Sequence, residues 1–312
     1  MKYSAKTLLL STRPWSFPVS VAAVLLPGLY VWPQSVSACT GSDAHVLLML
    51  LWTLVSIVLF HAASNLWSDY FDFRKGVDTD PSIGSATITG GLLTARATMI
   101  YASILLAIAV ANGLLVAWVV GWPLLVLGAI GTLLVVSYPW MKFHALGDLD
   151  IFLTFGVLPT IGTAFILTGE LLWSSLWVTP LFATITVAVL HANNTRDYKR
   201  DSHAGIHTFA MLIGARASQC VYFIEIWLPL LWCALCVGLT ACDAPCGCNP
   251  HFGWPLLVAS LIAAAPAVRN SRTMAGFTRG ESINNLDQLT AQHQLLNTLL
   301  LTLAFTAQIL LR

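Results

Sequence analysis

Charged side chains are scarce in this sequence of 312 residues: they make up 9% of it, against 57% hydrophobic residues, and the mean hydropathy is +0.77. A typical soluble domain carries about 25% charged residues. A chain with so few polar groups cannot cover its apolar surface with a water-soluble exterior. The composition therefore excludes an ordinary soluble domain and predicts an integral membrane protein.

Several functional signatures are also missing. The net charge is only +1, so the chain lacks the basic footprint of a nucleic-acid-binding protein. It has no P-loop and no G-x-G-x-x-G after a strand, which leaves nucleotide chemistry without a motif. The start MKYSAKTLLLSTRPWSFP is too polar and too broken by proline for a cleavable signal peptide, so we expect the first span to insert and remain.

Long apolar runs are abundant instead. A helix needs about 20 apolar residues to cross the hydrocarbon. Nine windows qualify, at residues 15–33, 46–66, 97–119, 122–140, 149–168, 175–194, 217–241, 253–269 and 293–311. They are continuous runs, unlike the alternating segments of a membrane barrel. The sequence thus predicts an all-α integral membrane protein with about nine transmembrane helices in a single domain, residues 1–312.

The basic residues indicate the orientation of these spans. With the N-terminus in the cytoplasm and nine spans, every Lys and Arg except Arg312 falls on the inner side. This agrees with the positive-inside rule. Most Asp residues then also lie on the inner side. We expect a multi-pass protein of the cell inner membrane with an active surface that faces the cytoplasm.

The first acidic stretch, NLWSDYFDFRKGVDTD, covers residues 65–80 at the inner end of the second span. If the helix continues through it, Asn65, Asp69 and Asp72 lie one turn apart and share a face. Asp78 follows Gly76, where we expect the helix to end.

The second acidic stretch, HANNTRDYKRDSHAG, covers residues 191–205 at the inner end of the sixth span. Its residues Asn193, Asp197 and Asp201 are spaced four apart, again on one helical face. The polar and basic residues between them are Asn194, Arg196, Lys199 and Arg200. The two stretches resemble a weak internal repeat, as two helix ends that face one site would.

Crowded carboxylates require a cation. Two unit charges about 4 Å apart repel by roughly 4 kcal/mol at an effective dielectric near 20. Mg²⁺ removes this repulsion, and proteins hold it with a few carboxylates together with phosphate oxygens. The interleaved Arg and Lys side chains would bind the remaining phosphate charge. Solvated loop charges are the alternative, but two matched stretches on one side of the membrane favour a magnesium–diphosphate site.

At these two stretches the sequence resembles the UbiA superfamily of intramembrane aromatic prenyltransferases, and most of all its 1,4-dihydroxy-2-naphthoate polyprenyltransferases of menaquinone biosynthesis. The resemblance extends over nearly the whole chain. It includes TRPWSFPVSVAAVLLPG, ALGDLDIFLTFGVLPTIGTAFILTG and NNLDQLTAQHQLLNTLLL, besides the two acidic stretches. It implies nine helices around a central cavity, with a polyprenyl diphosphate head at the acidic mouth and its tail towards membrane lipid.

The resemblance also implies roles for individual residues. The catalytic acids would be Asp69, Asp72, Asp197 and Asp201, which would hold Mg²⁺ together with Asn65 and Asp78. The residues that would contact the diphosphate are Asn65, Lys142, Asn193, Asn194, Arg196, Lys199 and Arg200. The acceptor would be an aromatic ring such as dihydroxynaphthoate, which in this subgroup also loses its carboxylate.

Four departures from the family pattern concern the substrate. Ser68 stands where Asn is frequent, and the stretch around Thr87 lacks an expected Arg. Basic residues usual near Ile206 and at Phe143 are also missing. The acceptor could therefore be 4-hydroxybenzoate or homogentisate. A secondary transporter is a further alternative, although transporters place their ionisable groups near the midplane.

Some polar residues remain open to two interpretations. His61 lies one turn before Asn65 and His191 precedes Asn193, and each is either catalytic or a hydrogen-bonded core residue. Asp148 and Asp150 either face the acceptor or complement the start of a helix. Glu225 is the one clear acid within a span outside these stretches. Outer-loop cysteines allow one or two disulfides among Cys39, Cys242, Cys246 and Cys248.

Overall fold

A computed structural model of the chain describes residues 3–36, 42–77, 86–203, 205–241 and 253–311. The described residues form helices and connecting turns. The α-helices are α1 Ala5–Ser11, α2 Pro18–Ser35, α3 Asp43–Lys75, α4 Ala95–Val120, α5 Pro123–Phe143, α6 Gly147–Phe152, α7 Leu158–Thr168, α8 Ala183–Arg196, α9 Tyr198–His203, α10 Phe209–Ile213, α11 Ala215–Ala241, α12 Trp254–Phe277 and α13 Leu286–Leu310. The all-α prediction is confirmed.

Seven helical segments in the described residues are long and apolar enough to cross a membrane, and a bent pair of helices would make an eighth. The prediction of nine spans is therefore approximate. The difference is α12, which has sufficient length but carries Arg269, Asn270, Ser271 and Arg272 in its second half, and these lower its hydropathy. The number and hydropathy of these helices make the chain a multi-pass membrane protein.

The long helix α3 carries the first acidic stretch at its C-terminal end. Its 33 residues extend roughly 50 Å at 1.5 Å per residue, whereas the hydrocarbon is about 30 Å thick, so the helix is longer than a span requires. The helix ends where expected, at Gly76, whose φ of 74° is a left-handed conformation that glycine adopts without strain. Asp69 and Asp72 thus lie on the last turns of a continuous helix.

The spans follow one another around a ring that α13 closes by packing against α2. Within this ring α7 packs on α2, and α8 packs on α11 and α13. All residues from Thr160 to Thr168 of α7 are buried, whereas few residues of α4 and α5 are buried and many of their large apolar side chains are exposed, as expected of lipid-facing helices. The fifth span, Gly147–Thr168, and the sixth span, which consists of Trp173–Leu181 and α8, are therefore the inner elements of the bundle.

Both inner spans are irregular. A π-helical turn, Leu153–Val157, separates α6 from α7, and such turns interrupt helices preferentially at functional sites. The sixth span bends by 46° between a 3₁₀ segment, Trp173–Leu181, and α8. Gly156 in the π turn faces α8 so closely that a Cβ there would lie 2.8 Å from Ala183 Cβ. The two spans can approach this closely because Gly156 has no side chain.

We expect Gly156→Ala to destabilise the protein by about 1–3 kcal/mol, because the added methyl group would overpack the contact with Ala183. Gly128→Ala in exposed α5 is the matched control, since nothing lies within 4 Å of a Cβ there and Ala favours a helix. Thermal unfolding in detergent should show a lower Tm for Gly156→Ala only. Equal Tm values for the two variants would contradict this account of the packing.

Candidate active site

The first acidic stretch places two buried carboxylates beside two basic side chains. Asp69 forms an ion pair with Arg13, and Asp72 accepts a hydrogen bond from Lys142 Nζ at 2.9 Å through Oδ2. Ser68 Oγ donates to the same Asp72 oxygen at 3.2 Å. In each carboxylate the second oxygen, Asp69 Oδ2 and Asp72 Oδ1, is buried without a hydrogen-bond partner among the described residues.

The N-terminal segment is folded back onto α3 in order to present Arg13. Arg13 has a φ of 57°, which is uncommon for a residue with a side chain. The Asn65 amide secures the turn around it by donating to the Thr12 carbonyl at 2.9 Å and to Ser16 Oγ at 3.0 Å. Asn65, predicted as a metal ligand, thus also positions Arg13.

Sequence reasoning did not single out Arg13. The Arg-Pro pair at the start of the first span is the sequence feature that could have identified it.

The second acidic stretch keeps its helical spacing across a break. Helix α8 ends at Arg196, but the Asp197 N–H still donates to the Asn193 carbonyl at 3.0 Å, and the Asp201 N–H donates to the Asp197 carbonyl at 2.9 Å. Asp197 and Asp201 are both buried. The predicted common face of Asn193, Asp197 and Asp201 is therefore compatible with the backbone, although α8 and α9 are separate helices.

Arg196 organises the end of α8. Its Nε donates to Asp197 Oδ1 at 3.0 Å and its Nη2 to Asp197 Oδ2 at 2.8 Å, a bidentate geometry. It also bonds to Asn193 Oδ1 and, at 2.5 Å, to Asp287 at the start of α13. Sequence reasoning missed Asp287, which lies 91 residues from its partner.

Three predicted residues lie beyond what the structure describes. Asp78 is outside the described residues, and Lys199 and Arg200 are described only as part of the α9 backbone. The cysteines proposed for disulfides, Cys39, Cys242, Cys246 and Cys248, are also outside the described residues.

Helices α5 and α6 connect the two acidic stretches. Lys142, at the end of α5, reaches Asp72, and the following helix α6 begins with Asp148, whose Oδ1 accepts from Asn194 Nδ2 at 3.4 Å. The His207 N–H also donates to the Phe143 carbonyl at 3.2 Å, which attaches the loop after α9 to the end of α5. Side chains of α3 and α5 thus form one polar group, side chains of α6 and α8 form a second, and the short turn from α5 to α6 links the two.

Two of the departures from the family pattern have a structural context. Phe143 replaces a basic residue, but Lys75 Nζ lies 5.9 Å from the centroid of its ring, within the range of a cation–π contact. Ile206 is buried, so a basic side chain at that position would have to be buried as well.

A small pocket opens beside Asp150. Its walls come from α3, α5 and the fifth span, and they include Phe60, His61, Tyr138 and Phe155. Asp150 Oδ1 is buried there without a hydrogen-bond partner among the described residues. His61 bonds to Ser20 Oγ at 2.5 Å and Ser16 Oγ at 3.3 Å, which agrees with its interpretation as a hydrogen-bonded core residue.

Several single carboxylate oxygens here are of the kind that a hard divalent cation binds, although the group of three possible ligands that the described residues bring within 4.8 Å of one another is Asp148, His191 and Glu225. Asp69 Oδ2, Asp72 Oδ1 and Asp150 Oδ1 are buried carboxylate oxygens that the described part of the protein leaves without a donor. Carboxylate oxygens are the ligands that Mg²⁺ prefers. An unsatisfied buried carboxylate is costly, so a ligand that supplies positive charge would be stabilising here.

Known proteins resemble this chain in sequence and in fold. The sequence model of the UbiA prenyltransferase family matches residues 30–282. UbiA prenyltransferase domain-containing protein 1 of Danio rerio is 32% identical over 238 residues, 74% of this chain and 68% of that protein. The Drosophila melanogaster homolog is 31% identical over 231 residues, and the chain spans just under two thirds (62%) of its length.

Solved structures agree in fold. A UbiA homolog from Archaeoglobus fulgidus bound to GPP and Mg²⁺ superimposes with a TM-score of 0.64, at 14% identity over 96% of this chain and 98% of that one. The apo structure of a UbiA homolog from Aeropyrum pernix K1 gives a TM-score of 0.62, at 14% identity over 93% and 97%.

We expect Lys142→Met to destabilise the protein by about 3 kcal/mol, because it leaves the Asp72 carboxylate buried without its cation. Adding Asp72→Asn to that variant should restore much of the loss, since the amide carries no charge. Thermal unfolding of both single variants, the double variant and the parent forms the cycle. Strictly additive effects would show that the pair is not coupled.

Proposed function

The chain belongs to the UbiA prenyltransferase family, and we propose that it transfers a polyprenyl group from a polyprenyl diphosphate to an aromatic acceptor, 1,4-dihydroxy-2-naphthoate, in menaquinone biosynthesis. It is a membrane-bound prenyltransferase. The proposal further comprises Mg²⁺ dependence, release of diphosphate, one catalytic domain over residues 1–312, and an active site on the cytoplasmic side of the inner membrane.

The proposal rests on the two carboxylates of the first acidic stretch, in each of which one oxygen has a basic partner and the other has none among the described residues. Asp69 uses Oδ1 for Arg13 and Asp72 uses Oδ2 for Lys142, while the other oxygen of each lacks a donor among the described residues. Each carboxylate can therefore hold a cation with one oxygen and keep its basic partner with the other. Positive side chains would then lie directly beside the cation, where diphosphate oxygens would bind.

The remaining assignments follow from this arrangement. Asp197 and Asp201 would complete the metal ligands, with Asn65 and Asp78 as further ligands. The diphosphate would contact Lys142, Asn193, Asn194, Arg196, Lys199 and Arg200. Arg13 joins this group because it lies against Asp69. The Archaeoglobus fulgidus homolog with GPP and Mg²⁺ supports the same substrate class for this chain.

The chemistry requires the carbon–oxygen bond to the diphosphate to break. Bound Mg²⁺ would supply Lewis-acid stabilisation of the leaving diphosphate. Arg13 and Lys142 are preorganised donors beside the developing negative charge, and such donors act strongly in a site that excludes water. Phe60, Tyr138 and Phe155 line the adjacent cavity, where aromatic faces would stabilise an allylic cation. Asp150 at the wall of this cavity would face the acceptor.

A panel of acceptors tests the proposed substrate. Purified protein should convert 1,4-dihydroxy-2-naphthoate and a polyprenyl diphosphate to a prenylated product without the carboxylate, as judged by mass spectrometry. EDTA should abolish product formation and added Mg²⁺ should restore it. Product from 4-hydroxybenzoate or homogentisate alone would contradict the acceptor, and ion uptake into proteoliposomes without any product would contradict the reaction.

We expect Asp69→Asn and Asp197→Asn each to lower prenyl transfer by at least about 100-fold, the scale on which a preorganised electrostatic group contributes. Asp43→Asn is the matched control, because Asp43 lies at the opposite end of α3 and is exposed. Rates should be measured at saturating prenyl diphosphate, with Tm recorded for each variant. Parental rates in both site variants would remove these residues from the active site.

A further inference from the structure

A buried polar cluster surrounds His191, the first residue of the second acidic stretch. His191 Nδ1 is 3.2 Å from Asp148 Oδ2 and 3.3 Å from Glu225 Oε1. The three residues come from α8, α6 and α11, so the cluster connects the fifth, sixth and seventh spans. His191 is fully buried, and both carboxylates are largely buried.

The second ring nitrogen of His191, Nε2, also has a polar neighbour. Its Nε2 lies 2.8 Å from Ser218 Oγ, which lies 3.0 Å from Thr195 Oγ1. The Thr195 hydroxyl donates back to the His191 carbonyl at 2.8 Å. The imidazole ring also contacts the rings of Phe209 and Tyr222 edge-on. The side chain therefore has one orientation, in which Nδ1 faces the two carboxylates.

This cluster reaches the candidate active site through Asp148. The second Asp148 oxygen, Oδ1, accepts from Asn194 Nδ2. Asn193 precedes Asn194 and accepts the backbone bond from Asp197. The last turn of α8, which carries these proposed ligands, is thus attached to the fifth and seventh spans by His191 and its partners.

Two carboxylates and an imidazole within membrane spans are expensive to bury, and such groups are retained mostly for function. Apolar side chains would join three spans at a lower cost. The close contacts of the His191 ring with the two carboxylates and with Ser218 Oγ offer something that apolar packing lacks, because they define the rotation of the last turn of α8 and its position along the helix axis.

We propose that His191 is a positioning residue: held between Asp148 and Glu225, it fixes the last turn of α8 and so aims Asn193, Asn194 and Asp197 at the metal and diphosphate. This inference rests on the function proposed above. Residues that orient metal ligands in this way typically change metal affinity by about 10- to 100-fold when they are replaced.

The test measures metal binding separately from turnover. Purified full-length protein in detergent is heated at increasing MgCl₂ in the presence of inorganic pyrophosphate, and the rise in Tm gives the apparent Mg²⁺ affinity. His191→Gln keeps a polar atom near the Nε2 position but loses Nδ1. His191→Asn places an NH₂ group near Nδ1, where it can donate to both carboxylates. Glu225→Gln removes one carboxylate charge, and His293→Gln alters a buried histidine of α13 that lies outside this cluster.

We expect His191→Gln and Glu225→Gln to require about 10- to 100-fold more Mg²⁺, while His191→Asn and His293→Gln stay closer to the parent. Prenyl transfer by His191→Gln should recover at high Mg²⁺, which a misfolded variant would not do. Should His191→Gln fail to fold, Glu225→Gln decides the outcome.

Two results would overturn the inference in different ways. Parental Mg²⁺ affinity in both His191→Gln and Glu225→Gln would refute the positioning role and leave the proposed function intact. No effect of Mg²⁺ and pyrophosphate on the parent protein itself would refute the proposed function, and the positioning role with it.

Discussion

The arrangement of this protein's candidate active site depends on the pairing of buried carboxylates with basic side chains from distant parts of the chain. A carboxylate removed from water costs several kcal/mol unless a cation lies beside it. Asp69 and Asp72 obtain theirs from Arg13 and Lys142. These two pairs hold the N-terminal segment and the end of α5 against α3. Ion pairs therefore hold together the helix ends that form the candidate active site, whereas apolar packing holds together the rest of the bundle.

The irregular inner spans make room for this assembly. The π turn after α6 lies where Gly156 closely approaches Ala183, and on the side of the turn that carries α6, Asp148 meets Asn194 of α8. Most polar side chains of the site lie on the ends of these helices rather than on loops. A rigid helical frame is what preorganised binding of a diphosphate requires.

The sequence predicts the fold well because membrane spans are governed by local hydropathy. The end of α3 at Gly76 is likewise a local property, and that prediction is confirmed. The common face of Asn193, Asp197 and Asp201 is compatible with the backbone, although it crosses the break between α8 and α9. Arg13, Asp287 and the His191 cluster depend instead on contacts between residues far apart in the chain, which one sequence does not reveal. The count of nine spans was approximate because the polar second half of α12 lowers its hydropathy.

Anomalous scattering from crystals grown with Mn²⁺ and an unreactive prenyl diphosphate analogue would test the central claim most directly. Mn²⁺ should appear about 2.1 Å from carboxylate oxygens, at Asp69 and Asp72 on one side of the diphosphate and at Asp197 and Asp201 on the other. Manganese bound away from these four residues, or a diphosphate held without contact to Arg13 or Lys142, would contradict the account.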